Sequence, residues 1–128
     1  MRSLANIETA MARLGGEPNS GLVVIPDGFV ALNRRIIISL ADRYSLPAIY
    51  PFDFFVAEGG LMSYGIDVPD LFRGTASYVD RILRGAKPSE LAVQIPTRFQ
   101  LVVNLKTAKA LPVTFPQTVI ARADQVIE

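Results

Sequence analysis

"LVVIPDGFVALNRRIIISLADRYSLPAIYP", residues 22–51, reads as a strand, a helix and a second strand. Residues 22–27 are an apolar run closed by Pro26-Asp27. A run that is apolar without alternation fits a strand covered on both faces, the habit of parallel sheets. Over 29–44, Leu32, Ile36, Leu40 and Tyr44 recur at helical spacing. Residues 46–51 repeat the first run and again end at proline. Strand, helix and strand in this order make a βαβ unit, whose strands lie parallel.

The pattern extends in both directions. Upstream, residues 3–14 form an amphipathic helix, with Leu4, Ile7, Met11 and Leu14 on one face. Downstream, 52–60 is a loop or short helix and 61–65 a third strand. Residues 68–83 carry Val68, Leu71, Phe72, Val79, Ile82 and Leu83 on one helical stripe, which Gly85 and Pro88 stop. Residues 98–105 are a fourth strand, 105–111 a short helix and 116–128 a last helix. The predicted fold is α/β, a three-layer αβα arrangement with a mainly parallel sheet. It spans 1–128 as a single domain, with no repeat, low-complexity tract or linker.

Composition narrows the function. Thirteen basic and 12 acidic residues among 128 leave a formal net charge of +1. No electrostatic footprint for nucleic acid follows from that balance. The chain has no cysteine and no histidine. Thiol nucleophiles, disulfides, Cys/His zinc sites and Ser-His-Asp triads are therefore excluded within it. Neither phosphate-loop nor dinucleotide-binding glycine patterns occur, so no cofactor is expected. The N-terminus lacks the apolar stretch of a secretion signal, and no stretch has the length of a membrane span. As written, such a chain is expected to stay in the cytoplasm. Half of the residues are hydrophobic and mean hydropathy is +0.31, apolar enough to imply a covered face or a partner.

In parallel α/β sheets, ligands lie outside the carboxyl ends of the strands. Asp27-Gly28-Phe29, Tyr50-Pro51-Phe52 and Tyr64-Gly65 each follow or end a predicted strand, so a carboxylate, aromatic rings and glycines converge on one edge. Asp27 suits either the α-amino group of a ligand or the N-cap of the next helix. Phe29, Phe52 and Tyr64 suit either stacking on a planar ligand or packing under the loop. In "FVAEGGLMSYG", residues 55–65, Gly59 and Gly60 permit positive φ or close approach, as in a tight turn or a ligand loop. Asp53 and Glu58 read as solvated charges rather than an acid–base pair. Asn33-Arg34-Arg35 suit the grip of an anion but read better as an exposed helix face, and Lys106 and Lys109 read as a solvated face.

The ordered strings "GGLMSYG" (59–65), "YVDRILRGAKP" (78–88) and "LVVNLKTAKAL" (101–111) resemble the substrate-binding proteins of ABC transporters, in the tryptophan/tyrosine-type group. The resemblance runs from about residue 20 to the end. It implies the C-terminal lobe of a type I periplasmic binding protein, a two-lobed fold holding a small organic ligand, an amino acid or aromatic acid, between its lobes. Asp27, Gly28, Phe29, Tyr50, Phe52, Glu58, Gly59, Gly60 and Tyr64 then line the cleft, with Tyr64 closing over the ligand. The implied setting is periplasmic, and the implied partners are the ligand and a transporter permease. The match covers only a C-terminal half. The crossover helix, about 67–87, packs in that family on a lobe absent here, so a truncated chain and a homo-oligomer, most simply a dimer through that helix, are expected. The alternative is an orphan interaction module that oligomerises and binds no ligand. A small α/β enzyme ranks below both.

Overall fold

The computed structural model describes residues 3–111 and 113–128. The chain forms two compact units, one of Met1–Gly65 with Gln100–Glu128 and the other of Ile66–Phe99.

The first unit is built on a five-stranded sheet in the order β1 (Leu22–Val23), β2 (Ala48–Tyr50), β3 (Met62–Ile66), β4 (Phe99–Asn104), β5 (Gln125–Ile127). β1, β2 and β3 are parallel, with Val23 opposite Ile49 and Tyr50 opposite Ser63. β4 and β5 are also parallel to each other. Between the two groups the direction reverses. Asn104 N–H donates to Leu61 O and Asp67 N–H to Arg98 O, so β3 ascends where β4 descends. The α/β class and the mainly parallel sheet are as the sequence implies. The reversal is not, because a helix between two strands reads as a parallel crossover.

α1 (Leu4–Gly15) presents its predicted stripe, with Met11 buried. The helix expected over 29–44 is broken into α2 (Gly28–Leu32) and α3 (Arg34–Arg43). At the break, the Asn33 side-chain amide donates back to Phe29 O at 2.8 Å, which competes with continued helix. The buried stripe of α3 is offset from the expected one, which ran through Ile36 in its first turn. Ile37, Leu40 and Ala41 face the core, while Leu32 and Ile36 are exposed. β1 is shorter than the run 22–27 and lies at the sheet edge, so Val23 and Ile25 are exposed rather than covered.

α4 (Asp53–Ala57) fills the stretch left open between loop and helix. The main core gathers Met11, Ile37, Leu40, Leu46, Tyr50 and Phe55 under α1, α3 and α4. Burying each such side chain is worth roughly 1.5–3 kcal/mol. Leu61, Ala108 and Leu111 form a second cluster against α6 (Leu105–Ala110). The last helix expected over 116–128 is instead α7 (Gln117–Ile120) followed by β5. Asp124 makes the difference. Its N–H donates to Leu101 O and its Oδ2 accepts from Leu101 N–H, which starts the pairing of β5 with β4.

The second unit consists of α5 (Val68–Leu83), a short 3-10 turn at Pro88–Glu90 and the segment leading to Phe99. Asp67 caps α5 by accepting from Asp70 N–H at 2.9 Å, and its Oδ2 lies 3.3 Å from Arg98 Nε. Gly85, with φ +102°, ends the helix where the sequence predicts. None of the side chains on α5 is buried, and Phe72, Val79 and Leu83 are exposed.

Candidate functional site

Because β1, β2 and β3 run in one direction, their carboxyl ends share one edge of the sheet. Neighbouring strands lie about 4.8 Å apart, so the ends of β1 and β3 are separated by about 10 Å, the span of one small ligand. Asp27, Gly28 and Phe29 follow β1, Phe52 follows β2, and Tyr64 with Gly65 belongs to β3. The structure brings these residues to the same edge.

Asp27 caps α2: its Oδ1 accepts from Phe29 N–H at 2.8 Å and Val30 N–H at 3.3 Å. Oδ2 takes neither bond, and the residue is exposed. The capping and amino-group roles weighed from the sequence are thus compatible in one side chain. Gly28 is exposed, Phe29 and Phe52 are half-buried, and Tyr64 is exposed.

Tyr50 is placed differently. It is 1% exposed, and its ring stacks on Phe55 at 5.0 Å. A side chain on a strand with both faces covered has no route to a ligand, and burial pushes its phenol well above the ordinary tyrosine range. Tyr50 therefore belongs to the core beneath the edge rather than to its lining.

Glu58, Gly59 and Gly60 precede β3 and stand at its amino end. That end is tied to the start of α6, where Thr107 Oγ1 donates to Gly59 O at 2.9 Å. Gly59 has φ +109°, a backbone conformation that side-chain-bearing residues rarely adopt. A Cβ on Gly60 would sit 2.8 Å from the Tyr50 ring and 2.9 Å from Phe55 O. Gly59→Ala and Gly60→Ala are each expected to destabilise the fold by about 1 kcal/mol or more, beyond Ala57→Gly on the adjoining helix. Denaturant titration of the three variants checks this, and equal midpoints would contradict it.

Glu58 does not stand free as a solvated charge. Its Oε1 lies 2.6 Å from Arg34 Nη2 and accepts from Arg34 Nε at 2.8 Å, while its Oε2 accepts from Arg35 Nε at 3.1 Å. The Arg34 bond is the main reason its carboxyl lies below the ordinary range, against a smaller opposing effect of partial desolvation. Its contribution to stability is present above the ordinary glutamate pKa and is lost only as pH falls through the depressed value. The guanidinium of Arg34 also lies over the Phe54 ring, 5.5 Å from its centroid. Phe54 stacks on Phe52 at 5.3 Å and on Phe55 at 5.0 Å, so four rings form a continuous column from Tyr50 to Phe52. Arg34, which reads from the sequence as part of an exposed helix face, is instead half-buried and paired with Glu58, and Phe54 and Phe55 carry no site signal of their own. The i, i+1 aromatics of "FDFF" are the trace of the column in the sequence.

A groove of about 420 Å³ opens between α1 and β1, lined by Met11, Leu14, Leu22, Val24 and Val30, with Asp27 its charged residue. Among the described residues, no three of Asp and Glu gather as metal ligands. No helix among them is long and apolar enough to cross a membrane.

The family model for "ABC transporter substrate binding protein" matches residues 1–127. A conserved domain protein from Vibrio cholerae O1 biovar El Tor superposes with a TM-score of 0.84 at 29% identity, over 95% of this chain and 41% of that one. The ABC domain from Streptococcus pneumoniae, in complex with L-Trp, gives 0.83 at 28% identity, over 99% of this chain and 44% of that one. A substrate-binding protein with adhesive properties from Clostridium difficile, in a ligand-free open structure, gives 0.64 at 22% identity and shares the fold. No curated protein matches. The chain spans less than half the length of each of these solved structures.

Proposed function

We propose that this chain, which belongs to the ABC transporter substrate-binding protein family, supplies one wall of a binding site for a small organic molecule such as an amino acid or aromatic acid. The wall is the edge formed by the carboxyl ends of β1–β3. The observation that carries this reading is the delivery of Asp27, Phe29, Phe52 and Tyr64 to that edge by three adjacent parallel strands. Asp27 Oδ2 suits an ammonium group, and the rings suit a planar body. The neighbour solved with L-Trp supports an aromatic amino acid as the probe. Tyr50 contributes from below as packing, and Glu58, Gly59 and Gly60 contribute as the support of the loop before β3. The ligand is bound and released unchanged. In transport, the site serves a permease from the periplasmic side, as the family resemblance implies.

One wall encloses less of a ligand than a closed cleft does, so the expected Kd for L-Trp is about 1 mM or weaker. Amide resonances of 27–29 and 64–65 and ring resonances of Phe52 should move on titration. Asp27→Asn removes a charge-assisted bond worth about 1.5–3 kcal/mol, which takes binding beyond detection. Shifts confined to residues away from this edge would sink the assignment.

A second reading, an interaction module that pairs with its own copy, is favoured by α5, which buries none of its side chains. Covering Leu71, Phe72, Val79, Ile82 and Leu83 in a two-fold interface contributes roughly 1.5–3 kcal/mol for each fully buried side chain. The expected species in sedimentation at micromolar concentration is a dimer, and Leu71→Asp with Ile82→Asp should return it to monomer. A monomeric parent whose mass and fold ignore both substitutions overturns this reading.

A further inference from the structure

We infer that Arg34 is the positioning residue of the proposed site, holding Phe52 in place against the segment that bears Asp27 and Phe29. Three contacts on three sides of one guanidinium carry this. Nε and Nη2 engage the Glu58 carboxylate at the end of α4. Nη1 donates to Ala31 O, in α2, at 3.1 Å. The plane lies over Phe54, which in turn stacks on Phe52 at 5.3 Å with an interplanar angle of 22°. α2 begins at the Asp27 cap, so the carboxylate side and the aromatic side of the edge are linked through one residue.

The chemistry requires arginine. Its planar fork engages two acceptors in fixed directions while its face stacks on a ring, and a lysine ammonium offers only a point charge. Phe52 and Phe29 are half-buried, and a half-buried ring keeps alternative rotamers unless a neighbour fixes it. Fixing it beforehand lowers the ordering cost of binding. Arg35 is not equivalent: it reaches Glu58 with Nε alone, and its side chain is mostly exposed.

The inference rests on the proposed ligand edge, but its first readout needs no ligand. Arg34→Lys is compared with Arg43→Lys, an arginine on the same helix that also has an acidic partner, Glu8, and a ring, Tyr44, but lies at the other end. In the unliganded protein, Arg34→Lys should displace the Phe52 and Phe54 ring resonances and the Gly28 and Phe29 amides, and Arg43→Lys should leave them in place. With L-Trp as the probe, Arg34→Lys should weaken binding about fivefold, as the two-acceptor fork and the planar stacking that fix Phe54 and Phe52 are lost while the charge remains. Glu58→Gln, which keeps the shape and removes the charge, should move the same resonances in the same direction.

Unmoved Phe52 and Gly28–Phe29 resonances in Arg34→Lys would overturn the inference, and so would equal displacement by Arg43→Lys. If the parent protein shows no L-Trp shifts at the edge, the ligand reading fails while the unliganded comparison still decides the role of Arg34. Should Arg34→Lys not fold, Glu58→Gln reports on the same linkage.

Discussion

Gly65→Ala is expected to lower stability by roughly 3 kcal/mol or more, about 10 °C in the unfolding midpoint of a domain this size. Gly65 lies in β3, and a Cβ there would run into the carbonyl oxygen of Pro51, with the Pro51 carbonyl carbon 2.9 Å away. The obstacle is backbone, so no side-chain rotation relieves it. Only parting of β2 from β3 does, and that opens the edge where Phe52 and Tyr64 stand. Gly74 supplies the contrast. It lies inside α5 with nothing within 4 Å of a built Cβ, so Gly74→Ala should stabilise by about 0.5–1 kcal/mol through helix propensity. Thermal melts followed by circular dichroism measure both. A Gly65→Ala midpoint within a degree or two of the parent would show that the strands part at no cost.

Tyr50→Ala should cost about 3–5 kcal/mol, the range for deleting a buried aromatic ring. The ring contacts Phe55 and closes over Gly60, and neither neighbour can collapse into the space without disturbing α4. Tyr50→Phe retains the ring and should cost far less. The pair also separates packing from ionisation. Burial raises the phenol pKa in the folded state above its ordinary value of 10.0. The stabilising contribution is therefore complete below pH 10 and declines above it, as the unfolded chain ionises first, by at most about 1.4 kcal/mol per pH unit. Tyr50→Phe should show a correspondingly shallower loss of stability between pH 10 and 11. Parallel denaturation curves for the two proteins across that interval would contradict the buried placement.

The apolar runs at 22–25 and 46–50 exposed the strands because burial leaves a compositional trace. The same runs concealed which strand is an edge, since that depends on what pairs beyond it. The convergence of Asp27, Phe52 and Tyr64 was legible from strand direction alone. That Tyr50 points into the core was not, because on a strand between two helical layers both faces are apolar. Asn33 gave no warning of a helix break, as asparagine is tolerated on an exposed helix. The pairing of Glu58 with Arg34 joins residues distant in sequence, and composition shows the charges without their partners. The terminal strand was hidden because Val126 and Ile127 suit helix or sheet until Asp124 binds β4.

The reversal between β3 and β4 has a bearing on how this chain can change over evolutionary time. Ile66 and Phe99 bound an excursion whose two ends are hydrogen-bonded neighbours, through Asp67 N–H and Arg98 O. Topologically, the excursion is the tip of a long hairpin. The entropy of closing such a loop grows only with the logarithm of its length. Its interior can therefore lengthen, shorten or be exchanged as a cassette at little thermodynamic cost to the five-stranded sheet that bears it.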